Sequence, residues 1–347
     1  MDYFDRFSIF FSGDKLIAGR RTYSLGEITT ELLNLKNEWF EKLQSASDNF
    51  VPAAKEMLAR KNEKAAPDVQ EKLNAVWDLL LELPPYCDMD LDIRTAYHLF
   101  PLLVNESERW QEITTAGTDG SKRTEWLLDT IGGLSQNLLA FLNQVDATLT
   151  LYFEPLGKRT KDAYGFAFTR WYMDALKNAP IFSPDADWEI STEVAIEFVP
   201  VNNLDESHRP VIAEKLQFNS LISFLYADFY RGLIHGNCPR RCHNCGKYFL
   251  LTAGYNTCYC NNIAPGETAR TCRKVGAHNK AEKEKASETP AQREYRKAYN
   301  RLKVRKARGK ISADEWNEKV AQAQEWKDLA EQNKLSDSEL REKLAGL

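Results

Sequence analysis

The residues best suited to chemistry in this chain are cysteines, and five of the seven lie between Cys242 and Cys272. Cys242 and Cys245 are separated by two residues, a spacing that lets two thiolates approach one cation from a tight turn. Zinc completes a tetrahedral site with two further soft ligands. Cys272 is a good third candidate, because it begins a predicted helix whose unpaired backbone N–H groups favour a thiolate. Three cysteines compete for the fourth position: Cys238, Cys258 and Cys260.

The choice between Cys258 and Cys260 stays open from spacing alone. Residues i and i+2 of an extended segment point the same way, so both thiols could reach the same cation. An odd number of cysteines gathered in one place argues against a secreted disulfide framework. Nothing around Cys242 and Cys245 has the βαβ pattern of a thioredoxin-like redox pair. The cluster therefore predicts a metal site.

The residues of the cluster also resemble a known zinc module. The order of these residues is similar to that of a treble-clef site. The matching residues are Cys242, Cys245, Gly246, Phe249, Tyr259 and Cys260, followed by Cys272 at the start of a basic helix with Lys274 and Lys280. The pattern is most similar to the CGNR-type zinc finger at the C-termini of bacterial proteins, many of them regarded as transcription regulators. It covers about residues 235–285, although Cys272 is followed by Arg-Lys-Val-Gly where that family has Gly-Asn-Arg.

This resemblance implies a ligand set and a role for the metal. The implied ligands of one zinc ion are Cys242, Cys245, Cys260 and Cys272. Four cysteines close the coordination sphere, so such a zinc supplies folding energy rather than a reactive water. In small zinc modules that energy amounts to about 10–16 kcal/mol. The whole arrangement is more loosely similar to bacterial proteins found near mobile genetic elements, which would suit a regulatory or phage-defence role.

Charge is strongly segregated along the 347 residues, although the net charge is only −4. Residues 1–230 carry 22 Lys and Arg against 36 Asp and Glu, a net of −14. Residues 231–310 carry 19 Lys and Arg against 5 Asp and Glu, a net charge of +14. The last 37 residues carry 5 Lys and Arg against 9 Asp and Glu, a net charge of −4. Such asymmetry says more about partners than the overall charge does.

The basic segment follows the cysteines directly. From Arg270 to Lys310 there are 15 Lys and Arg against four Glu. The phosphate backbones of nucleic acids are the commonest partners of so dense a run of positive charge. We therefore expect the protein to bind nucleic acid, more specifically DNA. No pattern for reading bases stands out, so the contacts are expected to be with the backbone. The expected contact residues are Arg273, Lys274, Lys280, Arg293, Arg296, Lys297, Arg301, Arg305, Lys306 and Arg308.

Hydrophobic periodicity predicts that helices position these residues. Three- and four-residue spacings predict helices over 24–44, 69–83, 124–153, 164–180 (ended by Pro180) and 210–236. Only 192–201 is β-branched and bounded by turn residues like a strand. After the cysteines, the sequence predicts a helix that starts at Pro290 and ends at Gly309. Capping boxes at Ser312 and Ser336 predict two further helices. The first two of these helices are expected to form a helical hairpin in which Tyr299 packs on Trp316. The predicted fold class is mainly α.

Three domains are predicted on this basis. Residues 1–235 form a mostly helical acidic domain, 236–285 a zinc-binding treble clef, and 286–347 a helical hairpin with a basic first helix. No apolar run reaches the ~20 residues of a membrane span, and the acidic opening lacks the features of a secretory signal. We therefore expect a cytoplasmic protein that does not enter a membrane, with a possible protein partner or homodimer contact through the N-terminal helices.

Three functions are compatible with the sequence. The first is a zinc-containing nucleic-acid-binding protein, and the second is a protein-interaction module with a purely structural zinc. The third is an enzyme whose site lies in the N-terminal domain, although no Ser/His/Asp or paired-carboxylate arrangement stands out. A non-enzymatic role is the main expectation, and no catalytic residue is assigned.

Overall fold

The computed structural model describes residues 6–89, 107–177, 194–202 and 210–347. It divides into two compact units, Met1–Cys260 and Asn261–Leu347. The division into domains 1–235, 236–285 and 286–347 stays a prediction. None of the helices within the described ranges is long and apolar enough to cross a membrane.

The prediction of a mainly α fold class is wrong. Helices occupy more of the described chain than strands, but two antiparallel sheets make the fold a mixture of α and β. The larger sheet has five strands in the order β3-β2-β1-β5-β4. Its strands are β1 Phe7–Ser12, β2 Lys15–Ala18, β3 Arg21–Ser24, β4 Ala195–Asn202 and β5 Pro210–Phe218.

The sheet joins segments that are distant in sequence. β1 and β5 pair antiparallel, with Phe7 opposite Phe218 and Ile9 opposite Leu216, and all four side chains are buried. The turns after β1 and β2 use Gly13 and Gly19, whose φ angles of 58° and 55° suit tight hairpins. β1 also pairs with the neighbouring β2, but β5 lies about two hundred residues away, so local periodicity could not reveal the pairing of β1 with β5.

The predicted helix over 210–236 is correct only in its second half. Residues 210–218 form β5, which lies between β1 and β4. The helix begins after Ser220, whose hydroxyl accepts a hydrogen bond from the Ser223 N–H at 3.1 Å. Segment 210–218 was assigned to the helix because its apolar residues also fit helical spacing when its strand partners are unknown.

Helices of the first unit overlap each remaining predicted segment, but residues 45–59 and 107–114 are also helical although no helix is predicted there. The helices of this unit are α1 Glu27–Leu32, α2 Asn37–Ala59, α3 Ala66–Leu81, α4 Ser107–Thr114, α5 Asp119–Thr148, α6 Lys161–Lys177 and α7 Leu221–His235. The helix predicted over 24–44 is divided between α1 and α2. The predicted strand over 192–201 is confirmed where it is described, as β4. The predicted stop at Pro180 lies outside the described residues.

One fully buried carboxylate joins α7 to the start of α1. Asp228 accepts hydrogen bonds from the backbone N–H groups of Gly26 and Thr29, at 2.7 and 2.8 Å, and from the Thr29 hydroxyl at 2.8 Å. These bonds cap an α1 terminus that has no cap of its own, since Gly26 lacks a side chain. Burial raises the pKa of Asp228 to about 6, against the lowering effect of the Thr29 and Gly26 N–H groups.

Replacing Asp228 with alanine is expected to lower the free energy of unfolding by about 3 kcal/mol, since two amides and one hydroxyl lose their buried acceptor. Urea denaturation followed by circular dichroism measures the change. The exposed Asp78 on α3 offers a matched control, and Asp78→Ala should change stability by less than about 0.5 kcal/mol. Equal denaturation midpoints for the two variants would contradict the capping role of Asp228.

The second unit contains four helices, and the last three of them surround a small core. The four helices are α8 Cys272–Ser287, α9 Pro290–Ala307, α10 Ala313–Glu331 and α11 Asp337–Ala345. The core consists of Ala291, Ala298, Ala323, Leu340 and Leu344. Thr289, Ser312 and Ser336 cap α9, α10 and α11 through their side chains, and the rings of Tyr299 and Trp316 lie 6.0 Å apart. The predicted capping box is confirmed at Ser336, Ser312 is confirmed as a side-chain cap, and the predicted contact of Tyr299 with Trp316 is confirmed.

Candidate metal centre and cationic helices

The first pair of cysteines lies in the turn of a short hairpin. β6 Cys238–Arg241 and β7 Tyr248–Leu251 pair antiparallel, and Cys242 and Cys245 lie in the connection between them. Within the turn, the Cys242 N–H donates to the Lys247 carbonyl at 2.8 Å and the Gly246 N–H donates to the Cys242 carbonyl at 2.9 Å. Gly246 has a φ of 74°, which glycine adopts at little cost. The sequence therefore folds locally into a turn that presents two thiols.

Cys272 is held at the start of α8. The hydroxyl of Thr271 accepts the Lys274 N–H at 3.3 Å and caps the helix. The Cys272 N–H donates to the Asn262 carbonyl at 2.8 Å, and a β-bridge joins Ile263 to Thr271. These contacts confirm the expectation from sequence that Cys272 opens a helix.

Four thiols come together in the structure, those of Cys242, Cys245, Cys260 and Cys272, with all of their sulfur atoms within 4.8 Å of one another. The sulfurs of Cys245 and Cys260 lie 3.7 Å apart. A tetrahedron with zinc–sulfur bonds of about 2.3 Å has sulfur–sulfur edges of about 3.8 Å, whereas a disulfide bond measures about 2.05 Å. The arrangement thus has the dimensions of a metal site rather than of a disulfide.

The surroundings of the cluster suit thiolates. Cys242, Cys260 and Cys272 are buried and Cys245 is half-buried, so water has little access. Burial alone raises the pKa of Cys242, but backbone N–H groups of Cys260, Cys245 and Asn244 outweigh it and lower the pKa to about 7. The Cys260 N–H lies 3.4 Å from the Cys242 sulfur. A thiol with such a pKa loses its proton readily to a bound cation.

The two other candidate cysteines have different surroundings. Cys258 is half-buried, and its sulfur accepts a hydrogen bond from the Arg240 guanidinium at 3.0 Å. Cys238 is part of the apolar core, and burial raises its pKa to about 12. Neither belongs to the group of four. The structure thus selects Cys260 where spacing left the fourth thiol open.

Several of the predicted contact cations are engaged within the second unit. Arg301 and Arg305 donate to the carbonyls of Leu344 and Leu347 at 2.8 and 2.6 Å, so they hold the end of the chain against α9. Arg296 pairs with Glu288 at 2.7 Å and Lys297 with Glu294 at 2.9 Å. The ammonium of Lys306 lies 4.1 Å from the centre of the Trp316 ring. Five of the predicted contact cations are therefore already engaged within the protein.

The other predicted contact cations are exposed. Arg273 and Lys274 on α8, and Arg293 and Arg308 at α9, form no ion pair with a described acidic side chain. Lys280 is exposed on α8 as well. Lys303 and Lys310, which were not singled out from the sequence, are likewise exposed and unpaired within the described ranges. Helical periodicity places Arg293, Arg296 and Lys303 opposite the buried face of α9.

Comparison with known proteins gives one family match. Residues 189–345 match the model of a family described as "Family of unknown function (DUF6076)". No curated protein and no solved structure is significantly similar to the chain. The matched segment contains the four grouped cysteines and all four helices of the second unit. The four grouped cysteines and the cationic helices thus lie in the part of the chain that resembles this family.

Proposed function

We propose that Cys242, Cys245, Cys260 and Cys272 hold one zinc ion with a structural role. The observation that carries the proposal is the mutual approach of the four sulfurs to within 4.8 Å. Four thiolates in tetrahedral reach are typical of zinc or iron–sulfur centres. The hairpin turn followed by a ligand at a helix start favours zinc, since it is similar to the treble-clef site of CGNR-type fingers. With four protein ligands no coordination position remains for substrate.

We further propose that the chain binds nucleic acid, DNA first, through the exposed cations of α8 and α9. The proposal is supported by exposed cations that form no ion pair with a described acidic side chain, notably Arg273, Lys274, Arg293 and Arg308. Positive side chains concentrated along helices repel one another, and an anionic backbone offsets that repulsion. The contacts are expected to be with phosphates, so sequence preference should be modest.

The test is fluorescence anisotropy of a labelled duplex titrated with the zinc-loaded chain over a series of salt concentrations. Each phosphate neutralised contributes about −0.9 to the slope of log K against log[salt], so four to five contacts predict a slope of roughly −4. A single-stranded probe of the same length distinguishes duplex from single-strand preference. If neither probe binds at low salt, the proposal fails and an interaction with an acidic protein becomes the better interpretation.

A further inference from the structure

A cavity in the first unit lies between the start of α6 and the loop after β7. Its volume is about 430 Å³, within the range of small-molecule sites. The residues that define its chemistry are Lys158, Arg159, Thr160, Lys161, Tyr255 and Asn256. No carboxylate is among the described residues that line it, although Asp162 follows in the first turn of α6. Three of the residues that line the cavity are therefore cationic.

Arg159 is the unusual member of this group. Its side chain is 8% exposed, its terminal nitrogen donates to the Glu154 carbonyl at 2.8 Å, and its Nε–H has no acceptor among the described residues. Burial, and next the positive charge of Arg240, lower the pKa of Arg159. Arg240 donates to the Asn256 side chain at 3.2 Å, to the Thr257 carbonyl at 2.8 Å and to the Cys258 sulfur at 3.0 Å, and to no described carboxylate. A buried guanidinium with no carboxylate among its described partners is costly unless an anion joins it.

The backbone adds further donors. Thr160 caps α6 by accepting the Ala163 N–H at 3.3 Å, which leaves the amides of Lys161 and Asp162 without an acceptor inside the helix. The N-terminus of a 17-residue helix carries partial positive charge and is a natural site for phosphate. Arginine matches phosphate geometry through its planar fork. The exposed ring of Tyr255, at the same cavity, offers a surface on which a base can stack.

We propose that this cavity binds the phosphate monoester of a nucleotide. The phosphate lies against Arg159, the two lysines and the first amides of α6, and the base lies on Tyr255. The volume exceeds that of phosphate alone, which leaves room for the nucleoside. The proposal does not depend on nucleic-acid binding by α8 and α9, because it rests on residues of the first unit alone.

Isothermal titration calorimetry of the full chain with adenosine 5′-monophosphate, adenosine and inorganic phosphate tests this assignment. The monophosphate should bind, inorganic phosphate should bind more weakly, and adenosine should not bind. Lys158→Ala and Lys161→Ala should each weaken the monophosphate about tenfold, the effect of losing one charge-assisted contact. Tyr255→Ala should weaken the monophosphate but not inorganic phosphate. Lys122→Ala, an exposed lysine on α5, is the matched control and should bind as the original chain does.

Arg159→Gln should abolish binding, and the two lysine variants keep the test valid if that buried substitution impairs folding. Adenosine binding as tightly as its monophosphate, or a Lys158→Ala/Lys161→Ala double variant binding normally, would overturn the proposal. A short oligonucleotide with a 5′-phosphate, compared with its 5′-hydroxyl form, separates the two sources of the ligand. Competition by the phosphorylated strand supports a strand end as ligand, and its absence, with the monophosphate still bound, supports a free nucleotide.

Discussion

Replacing Cys272 with serine should abolish stoichiometric metal binding and unfold the segment between β6 and the end of α8. The reason is that the segment has few apolar residues of its own. In zinc modules, metal binding supplies about 10–16 kcal/mol of the folding free energy. Losing one of four thiolates removes much of that free energy. Amide hydrogen exchange of residues 238–287, measured by mass spectrometry with and without added zinc, should show loss of protection in the variant.

Cys258 provides the matched control, because it lies two residues from Cys260 but outside the group of four. Cys258→Ser should retain the metal and the protection pattern of the original chain. A strong chelator applied to the original chain should reproduce the Cys272→Ser pattern, and added zinc should restore protection. If Cys272→Ser kept full protection, or if both cysteine variants lost it equally, the four sulfurs would not be the structural centre.

Reversing three exposed cations of the second unit is expected to weaken DNA binding by about 500-fold at 0.1 M salt. The changes are Arg293→Glu, Lys303→Glu and Arg308→Glu, none of which breaks an ion pair among the described side chains. Each lost phosphate contact removes about 0.9 log units of affinity at that salt concentration, and the salt slope should fall by about 3. Fluorescence anisotropy over a salt series measures both quantities.

A control with the same change in net charge is available in the first unit. Lys36→Glu, Lys42→Glu and Lys61→Glu also replace three exposed cations. If binding depends on the cations of α9, this control should lose far less affinity and keep its salt slope. Equal losses in the two triple variants would show that net charge alone governs association, and would contradict a binding face on α9.

Charge reversal at Arg301 and Arg305 is not an equivalent experiment. Both side chains donate to backbone carbonyls near the end of the chain, so their loss is expected to loosen α11 as well. Variants at these positions would confound binding with stability. The structure therefore changes which of the predicted contact residues can be tested cleanly.

The parts of the fold that local chemistry specifies could be predicted from the sequence. Ser312 and Ser336 indicate the starts of α10 and α11, because their side chains accept hydrogen bonds from backbone N–H groups that have no acceptor inside the helix. Such a cap depends on only a few neighbouring residues, so it can be recognised in the sequence. The spacing of Cys242 and Cys245 is likewise local and indicates a turn. The pairing of β1 with β5 could not be predicted in this way, because Phe7 and Phe218 are 211 residues apart and residues 210–218 also fit helical spacing.

The identity of the fourth thiol and the cavity at the start of α6 also could not be predicted from local sequence. Spacing allowed Cys258 as well as Cys260, and only the folded backbone places one sulfur in the group and the other beside Arg240. The run of Lys158, Arg159 and Lys161 is short and unremarkable in sequence. Its interest comes from the burial of Arg159 and from residues near Tyr255 that fold against it.

X-ray absorption at the zinc K edge of the purified chain tests the central claim most directly. With one zinc ion per chain, the spectrum should show four sulfur neighbours at about 2.3 Å and no nitrogen or oxygen neighbour at bonding distance. The Cys258→Ser chain should give the same spectrum. A chain that carries no zinc after purification from zinc-containing medium, or a spectrum with fewer than four sulfur neighbours, would contradict the proposed centre.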